Sequence, residues 1–274
     1  MQNKRALGPA SNHREFVAPP GVRPVWRFLK SRERKLRRST EVGLLRLRWE
    51  LRSARNSQPL GKPPKSIFDQ LSIKVINLEH RGDRLTAFCK QMEKLGINDW
   101  ERIPAVDGKK KYVNLKSVFA GSIACTESHI EALASQDPTS PRIAMVCEDD
   151  LEFLANRSEI EGVISEFLSN PLLSVLCLSG RPRGASFYLS RRLRVATGIV
   201  GRGCYLVKHQ AVQPLINAFQ AGIPELVLGR VEGKGDRMWG KLQKRGFFFA
   251  FPSGPVAQQS AGYSDIEDVM LGPR

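Results

Sequence analysis

The chain has 274 residues, 41% of them hydrophobic, and a formal net charge of +16, enough apolar material for one substantial domain with an extension. Such a charge invites nucleic acid, an anionic membrane face or a phosphorylated substrate, but it is concentrated: residues 1–70 hold 17 Lys/Arg against 5 Asp/Glu, leaving 26 against 22 for the remainder. No stretch approaches the roughly 18–20 apolar residues of a membrane span, the first sixteen residues lack the apolar segment of a signal peptide, and five scattered cysteines without CxxC spacing speak against a disulfide frame or a zinc site and for a reduced, cytoplasmic setting.

Residues 1–24, rich in Pro, Gly and polar groups, are expected to be disordered. A basic amphipathic helix is predicted near residues 26–55, where Leu44, Leu47 and Leu51 share a face, with Val42, Leu45 and Trp49 beside them and Arg46, Arg48, Arg52 and Arg55 around the rim. Such a helix can lie on an anionic membrane surface, pack on its own domain or a partner, or meet nucleic acid. Residues 45–51 also alternate apolar and charged, which keeps a strand open. The Pro-rich link at residues 58–64 then marks a boundary, giving a basic extension over residues 1–65 and a folded domain over residues 66–274.

That domain opens with a strand at residues 71–78, a polar turn carrying Arg81 and Arg84, and a helix whose apolar residues Leu85, Phe88, Cys89, Met92 and Leu95 keep one face, closed by Gly96. Strand, turn and helix in that order begin a βαβ unit. The two arginines reach the carboxyl end of the first strand, to meet an anion or to be solvated. Residues 101–108 read as a second strand ending in an Asp-Gly turn, followed by a basic loop at residues 109–111. Residues 121–133 form a small-residue helix in which His129, taken alone, is a hydrogen-bonded buried histidine.

The stretch at residues 143–150 is an apolar run of strand length ending in Glu148, Asp149 and Asp150. A run of that kind is buried on both faces, as in parallel sheets under helices. Three adjacent acids persist where a cation neutralises them or where water reaches them. At the carboxyl end of a strand they can hold Mg²⁺ or Mn²⁺ with a nucleotide's phosphates; the alternatives are a solvated loop, or acids favouring the start of the next helix. Against the last stands a capping box predicted at Ser158–Glu161. A strand at residues 172–178 and a loop at residues 181–194 with five arginines follow, the loop facing phosphate, acceptor or solvent. Mixed strand and Gly-rich character covers residues 195–207, helices are predicted at residues 209–221 and from Gly235 onward, a strand at residues 247–252, and a polar tail to residue 266. Alternating strands and helices argue for a Rossmann-like α/β domain. Without GxGxxG after the first strand or GxxxxGK[ST] anywhere, dinucleotide oxidoreductases and P-loop enzymes lose most of their support.

The order VINLEHRGDR, IPAVDG, GSIACTESH, MVCEDD, GRGCYLV, GDRMW and a Pro-containing strand with Gln and SDI resembles glycosyltransferase family 25, which includes lipopolysaccharide-biosynthesis transferases and collagen galactosyltransferases. The resemblance spans about residues 72–266. It implies a GT-A-like nucleotide-sugar fold and an inverting transferase, moving a hexose, usually galactose, from a UDP-sugar to a hydroxyl of a glycan or glycolipid such as lipopolysaccharide core, with Mn²⁺ or Mg²⁺. By position, Asn77, Leu78, Arg81 and Arg84 match the nucleotide-side motif, Ser128 and His129 the Ser-His pair, and Glu148, Asp149 and Asp150 the acidic metal motif. Gly203, Cys204 and Tyr205 match the Gly-x-Tyr strand, and Asp236 a later carboxylate. The chain departs from the family at Ser122, where Glu is frequent, and at Glu127, where an apolar residue is.

On an extended chain Glu148 and Asp150 point one way and Asp149 the other, which assigns Asp150 to the metal, Glu148 to the ribose or a metal-bound water, and Asp149 to a second ligand or an orienting group. For the base that takes the acceptor proton, Asp236 comes first and Glu127 or His129 second. The rivals are a basic nucleic-acid-binding α/β protein, whose acids would repel phosphates, and a catalytically silent sugar-nucleotide binder. No specific nucleic acid is expected, and an anionic inner membrane face remains a possible partner of residues 26–55.

Overall fold

The structure, a computed structural model, describes residues 23–53, 66–266 and 269–273. The disorder expected before residue 23, Arg55 and the Pro-rich link lie outside the described residues. The chain divides into two compact units, residues 1–40 and 41–274. One helix, α1 (Arg23–Ser53), covers the basic stretch, which overturns the strand alternative. The alternation over residues 45–51 arises because two apolar stripes share one helix. Val42, Leu45 and Trp49, at i, i+3 and i+7, turn toward the core, where Trp49 meets Phe187 and Phe248 edge-on with ring centroids 6.3 and 5.0 Å away. Leu44, Leu47 and Leu51 have the same spacing but lie on the outward side, and all three are exposed.

The elements that follow are β1 (Leu71–Asn77), α2 (Gly82–Lys94), β2 (Glu101–Pro104), α3 (Gly108–Lys111), α4 (Ser117–Ala134), β3 (Ile143–Glu148), β4 (Leu151–Phe153), α5 (Arg157–Ser169) and β5 (Leu173–Cys177). Then come β6 (Arg181–Pro182), β7 (Ser186–Tyr188), β8 (Leu193–Ala196), β9 (Ile199–Val200), β10 (Cys204–Val207), α6 (His209–Gln220), α7 (Ile223–Val227) and α8 (Gly235–Lys244). The chain closes with β11 (Phe248–Pro252), β12 (Ala257–Gln259), β13 (Gly262–Ser264) and β14 (Val269–Leu271).

Eight strands make one mostly parallel sheet in the order β2-β1-β3-β10-β5-β11-β8-β7. The winding is mixed, because β10 lies antiparallel between β3 and β5, and β8 antiparallel between β11 and β7. The period-two alternation of strands separates two apolar layers. Leu71, Ile73, Val75, Met145, Cys147, Cys204 and Leu206 pack with α2, α5 and the docked end of α1. Ile76, Ala144, Val146, Tyr205 and Val207 pack with α4, α6 and α8. The run at residues 143–148 is therefore buried on both faces, as its composition predicts, although one of its two neighbours runs the opposite way.

Three local expectations are corrected. Asp107 starts a helix instead of a turn, its carboxylate accepting from the N–H groups of Lys109 and Lys110. The capping box is Asn156 with Glu159, two residues earlier than Ser158–Glu161; the acids at 148–150 still lie outside it. The arginine-rich loop is held at the sheet edge as β7 and β8, with the Arg194 guanidinium 4.5 Å from the Tyr188 ring and 5.3 Å from Phe251. As the sequence predicts, Gly96 closes α2 with a positive φ of 63°.

Candidate active site

The carboxyl ends of β1 and β3 set the geometry. Their parallel register pairs Ile76 with Glu148, so the next residues, Asn77 and Asp149, lie side by side, and Asn77 Nδ2 donates to Asp149 Oδ2 at 2.7 Å. The chain turns at Asp149 and Asp150, and the strand alternation ends at Glu148. Consequently Asp149 and Asp150 do not point to opposite faces: Arg84 Nη1 reaches both, at 3.2 and 3.3 Å. The acids are largely withdrawn from water, and the cation beside them in the chain itself is a guanidinium from the turn after β1.

The other side is closed by the C-terminal segment. β12 pairs with β4 so that Gln259 stands opposite Leu151, and Gln259 Nε2 donates to Glu148 Oε2 at 2.8 Å and to Asp150 Oδ1 at 3.4 Å. The Ser260 N–H donates to the Asp150 carbonyl at 2.7 Å, Arg84 Nη2 donates to the Tyr263 carbonyl at 2.6 Å, and Arg81 pairs with Asp265 at 2.5 Å and with Asp83 at 3.0 Å. The polar tail is therefore a strap across the acids. Gly203 belongs to the same packing: a Cβ there would sit 2.9 Å from Gln259 Cγ and 3.0 Å from Ser179 Oγ, and its carbonyl accepts the Glu148 N–H at 2.7 Å.

Below Glu148 lies a buried relay. His129 Nε2 is 2.9 Å from Glu148 Oε1 and His129 Nδ1 is 3.0 Å from the Tyr205 hydroxyl. An ionised carboxylate only accepts, so Nε2 carries the proton and Tyr205 donates to Nδ1. Burial first, then the nearby Arg202 charge, hold the His129 pKa well below its ordinary value, so the ring is neutral. Arg202 Nη2 contacts Cys125 Sγ at 3.3 Å, and its guanidinium lies 5.1 Å over the Phe219 ring. Gly235 makes room for it, since a Cβ there would fall 2.1 Å from Arg202 Nη1. Asp236 follows at the first turn of α8, where its Oδ2 accepts the Gly201 N–H at 3.2 Å, and it shares an electrostatic neighbourhood with Arg202, His129 and Glu148.

Not every residue singled out in the sequence joins this cluster. Glu127 takes Lys111 Nζ at 2.9 Å and the Tyr112 hydroxyl at 2.6 Å. Ser128 Oγ accepts the Val106 N–H and donates to the Ala124 carbonyl, tying α4 to the chain after β2. Leu78 contributes its carbonyl, which accepts the Arg81 N–H at 2.9 Å. Conversely, Arg202 and Cys125 stand inside the GRGCYLV and GSIACTESH motifs, but nothing in a sequence tells which residue of either faces the acids. Gln259 and Asp265 could be found only as fragments of the tail motif.

Burial raises the pKa of Asp149 to about 6 against the opposing pull of Asn77 and Arg84. Burial first and then the Glu148 charge raise Asp150 to about 6, and burial raises Glu148. Arg84, which touches Asp149 and Asp150, and Arg202, whose charge reaches Glu148, thus still leave Glu148, Asp149, Asp150 and the nearby Asp236 short of positive charge. An all-oxygen set with that deficit fits a hard divalent cation such as Mn²⁺ or Mg²⁺. Cys125, His129 and Glu148 also gather, with ligand atoms within 4.8 Å of one another. That set fits less well: burial pushes the Cys125 thiol up to about 12, and a guanidinium already lies against the sulfur.

Several solved structures are similar to the chain, and one of them illustrates the likeness. It is a glycosyltransferase involved in the glycosylation of the major capsid of PBCV-1, at 12% identity and a TM-score of 0.34, over 72% of this chain and 96% of that one. At that TM-score the similarity carries no weight for fold or activity. No protein-family model matches the chain, and no curated protein matches its sequence. No helix among the described residues is long and apolar enough to cross a membrane, and the five cysteines are free.

Proposed function

We propose that this chain is an inverting, metal-dependent glycosyltransferase of the family 25 kind, moving a hexose, galactose first among the candidates, from a UDP-sugar to a hydroxyl of a glycan or glycolipid such as lipopolysaccharide core. Residues 66–274 form the transferase domain, residues 1–65 are its extension, and the free cysteines favour a cytoplasmic setting. The observation that carries this reading is the cluster of Glu148, Asp149 and Asp150 at the carboxyl ends of β1 and β3, buried, short of positive charge and held by Arg84, Asn77 and Gln259. The order of the seven sequence motifs gives independent support.

In this reading Asp149 and Asp150 hold Mn²⁺ or Mg²⁺, which when bound acts as a Lewis acid toward the diphosphate and lowers the barrier by several kcal/mol. Arg84, now shared between two carboxylates, turns to the diphosphate oxygens, and Arg81 adds positive charge on the same side. Glu148 is oriented from below by His129 and from above by Gln259, which aims its carboxylate at a ribose hydroxyl. His129 then acts by fixing Glu148, and Asp236, at the helix start beside Arg202, takes the proton of the acceptor hydroxyl.

The test is UDP release by the full chain from UDP-galactose and UDP-glucose, with Mn²⁺ and with a chelator. Slow, Mn²⁺-dependent hydrolysis of one donor, lost in Asp150→Asn, is expected. Metal-independent hydrolysis, or unchanged activity in Asp150→Asn, refutes the metal assignment. No turnover together with no thermal stabilisation by UDP and Mn²⁺ refutes the function.

A further inference from the structure

Helix α1 presents two apolar stripes, and the domain uses only one. Leu45 and Trp49 are buried against the core, whereas Leu44, Leu47 and Leu51 are 58%, 51% and 59% exposed. They recur at i, i+3 and i+7, so they form one continuous ridge on the side facing away from the domain. The flanks of the ridge are basic and partly anchored. Arg46 lies 5.9 Å from the Phe187 ring on one side, and on the other Arg52 Nη1 donates to the Gly246 carbonyl at 2.5 Å while its guanidinium sits 5.5 Å from Phe248. Both guanidinium heads thus lean toward the domain at the flanks of the ridge, and Arg46 also reaches Glu50 at 3.9 Å. Over its whole length the helix carries 11 Lys/Arg against 3 Asp/Glu.

We propose that this ridge docks on an anionic phospholipid surface, the leucines entering the boundary between headgroups and acyl chains and the arginines meeting lipid phosphates. Charge chooses this occupant. A second copy would set two strongly basic helices against each other, and a nucleic acid would satisfy the arginines but leave three leucines facing phosphates. An anionic bilayer complements both the apolar crest and the net positive charge of the helix that carries it. The docked face also explains how the helix can lie on a membrane without leaving the domain: Trp49, the residue a free interfacial helix would commit to lipid, is already held between Phe187 and Phe248. This inference does not rest on the transfer chemistry, so each can fail without the other.

The experiment is co-sedimentation of the full chain with vesicles of phosphatidylcholine alone and of phosphatidylcholine with about a third phosphatidylglycerol, read without donor or acceptor. Binding to the anionic vesicles only is expected, with the partition falling at least about tenfold in the triple variant Leu44→Gln, Leu47→Gln, Leu51→Gln. Because those side chains are exposed, its far-ultraviolet circular dichroism and melting temperature should match the parent's. A second variant, Arg46→Gln with Arg48→Gln, should lose several-fold of the preference for anionic over neutral vesicles. Equal vesicle binding by the parent and the leucine variant overturns the proposal, as does binding of the parent to neither vesicle. A dimer that the leucine variant makes monomeric, without vesicle binding by the parent, overturns it in favour of self-association, and nucleic-acid binding without vesicle binding overturns it in favour of that partner.

Discussion

Asp149→Asn should stabilise the metal-free protein at pH 8. The folded state raises the Asp149 pKa from 3.8 to about 6, chiefly by burial, so the folded chain binds this proton more tightly than the unfolded chain does. The resulting cost is absent below about pH 4, where both states are protonated, grows between about pH 4 and 6, and is complete above that, where it reaches about 3 kcal/mol. An asparagine carries no charge and removes that cost. It also turns an NH₂ toward Asn77 Nδ2, which now donates to Asp149 Oδ2, and losing that hydrogen bond costs about 1 kcal/mol. The balance is a gain of about 2 kcal/mol at pH 8, or a melting temperature higher by about 4–8 °C. At pH 4 only the hydrogen-bond loss remains, and the variant should melt slightly below the parent. Thermal melts in chelator at both pH values measure this. A variant destabilised equally at pH 4 and pH 8 would refute the charge-deficit argument, and with it the reason for expecting a cation at this site. Adding Mn²⁺ at pH 8 should raise the melting temperature of the parent much more than that of the variant.

Arg84→Met removes the guanidinium that bridges Asp149 and Asp150; it should cost about 2–3 kcal/mol above pH 6 by leaving those acids unpaired, a loss that melts in saturating Mn²⁺ should partly recover. Gly203→Ala should displace Gln259 from the acids, costing about 1–2 kcal/mol and most of the stabilisation by UDP with Mn²⁺, both read by melting; an unchanged response to UDP with Mn²⁺ would show that Gln259 is not needed there. Trp49→Ala should destabilise the domain by about 3–5 kcal/mol in urea unfolding, whereas Leu47→Ala should stay within about 0.5 kcal/mol, because only the first side chain is packed on the sheet.

The sequence alone determined the strand–turn–helix opening, the helix closed by Gly96 and the burial of the run ending in Glu148, since these depend on local periodicity and on the cost of placing polar groups in a core. It also singled out the three acids, because a triple carboxylate on a buried strand demands compensation somewhere. The compensation itself was a matter of tertiary structure. Arg84, Gln259 and the Tyr263 carbonyl come from segments up to 179 residues apart in the chain, and only the β1–β3 register and the β12–β4 pairing bring them to one place. The turn after Glu148 likewise cancelled the alternation that would have separated Asp149 from Asp150. The two faces of α1 make the same point from the other direction. Leu44, Leu47 and Leu51 have the spacing of a buried stripe as fully as Val42, Leu45 and Trp49 do, and helical period cannot rank two apolar faces. Phe187 and Phe248, supplied by distant strands, decided which face the core would take.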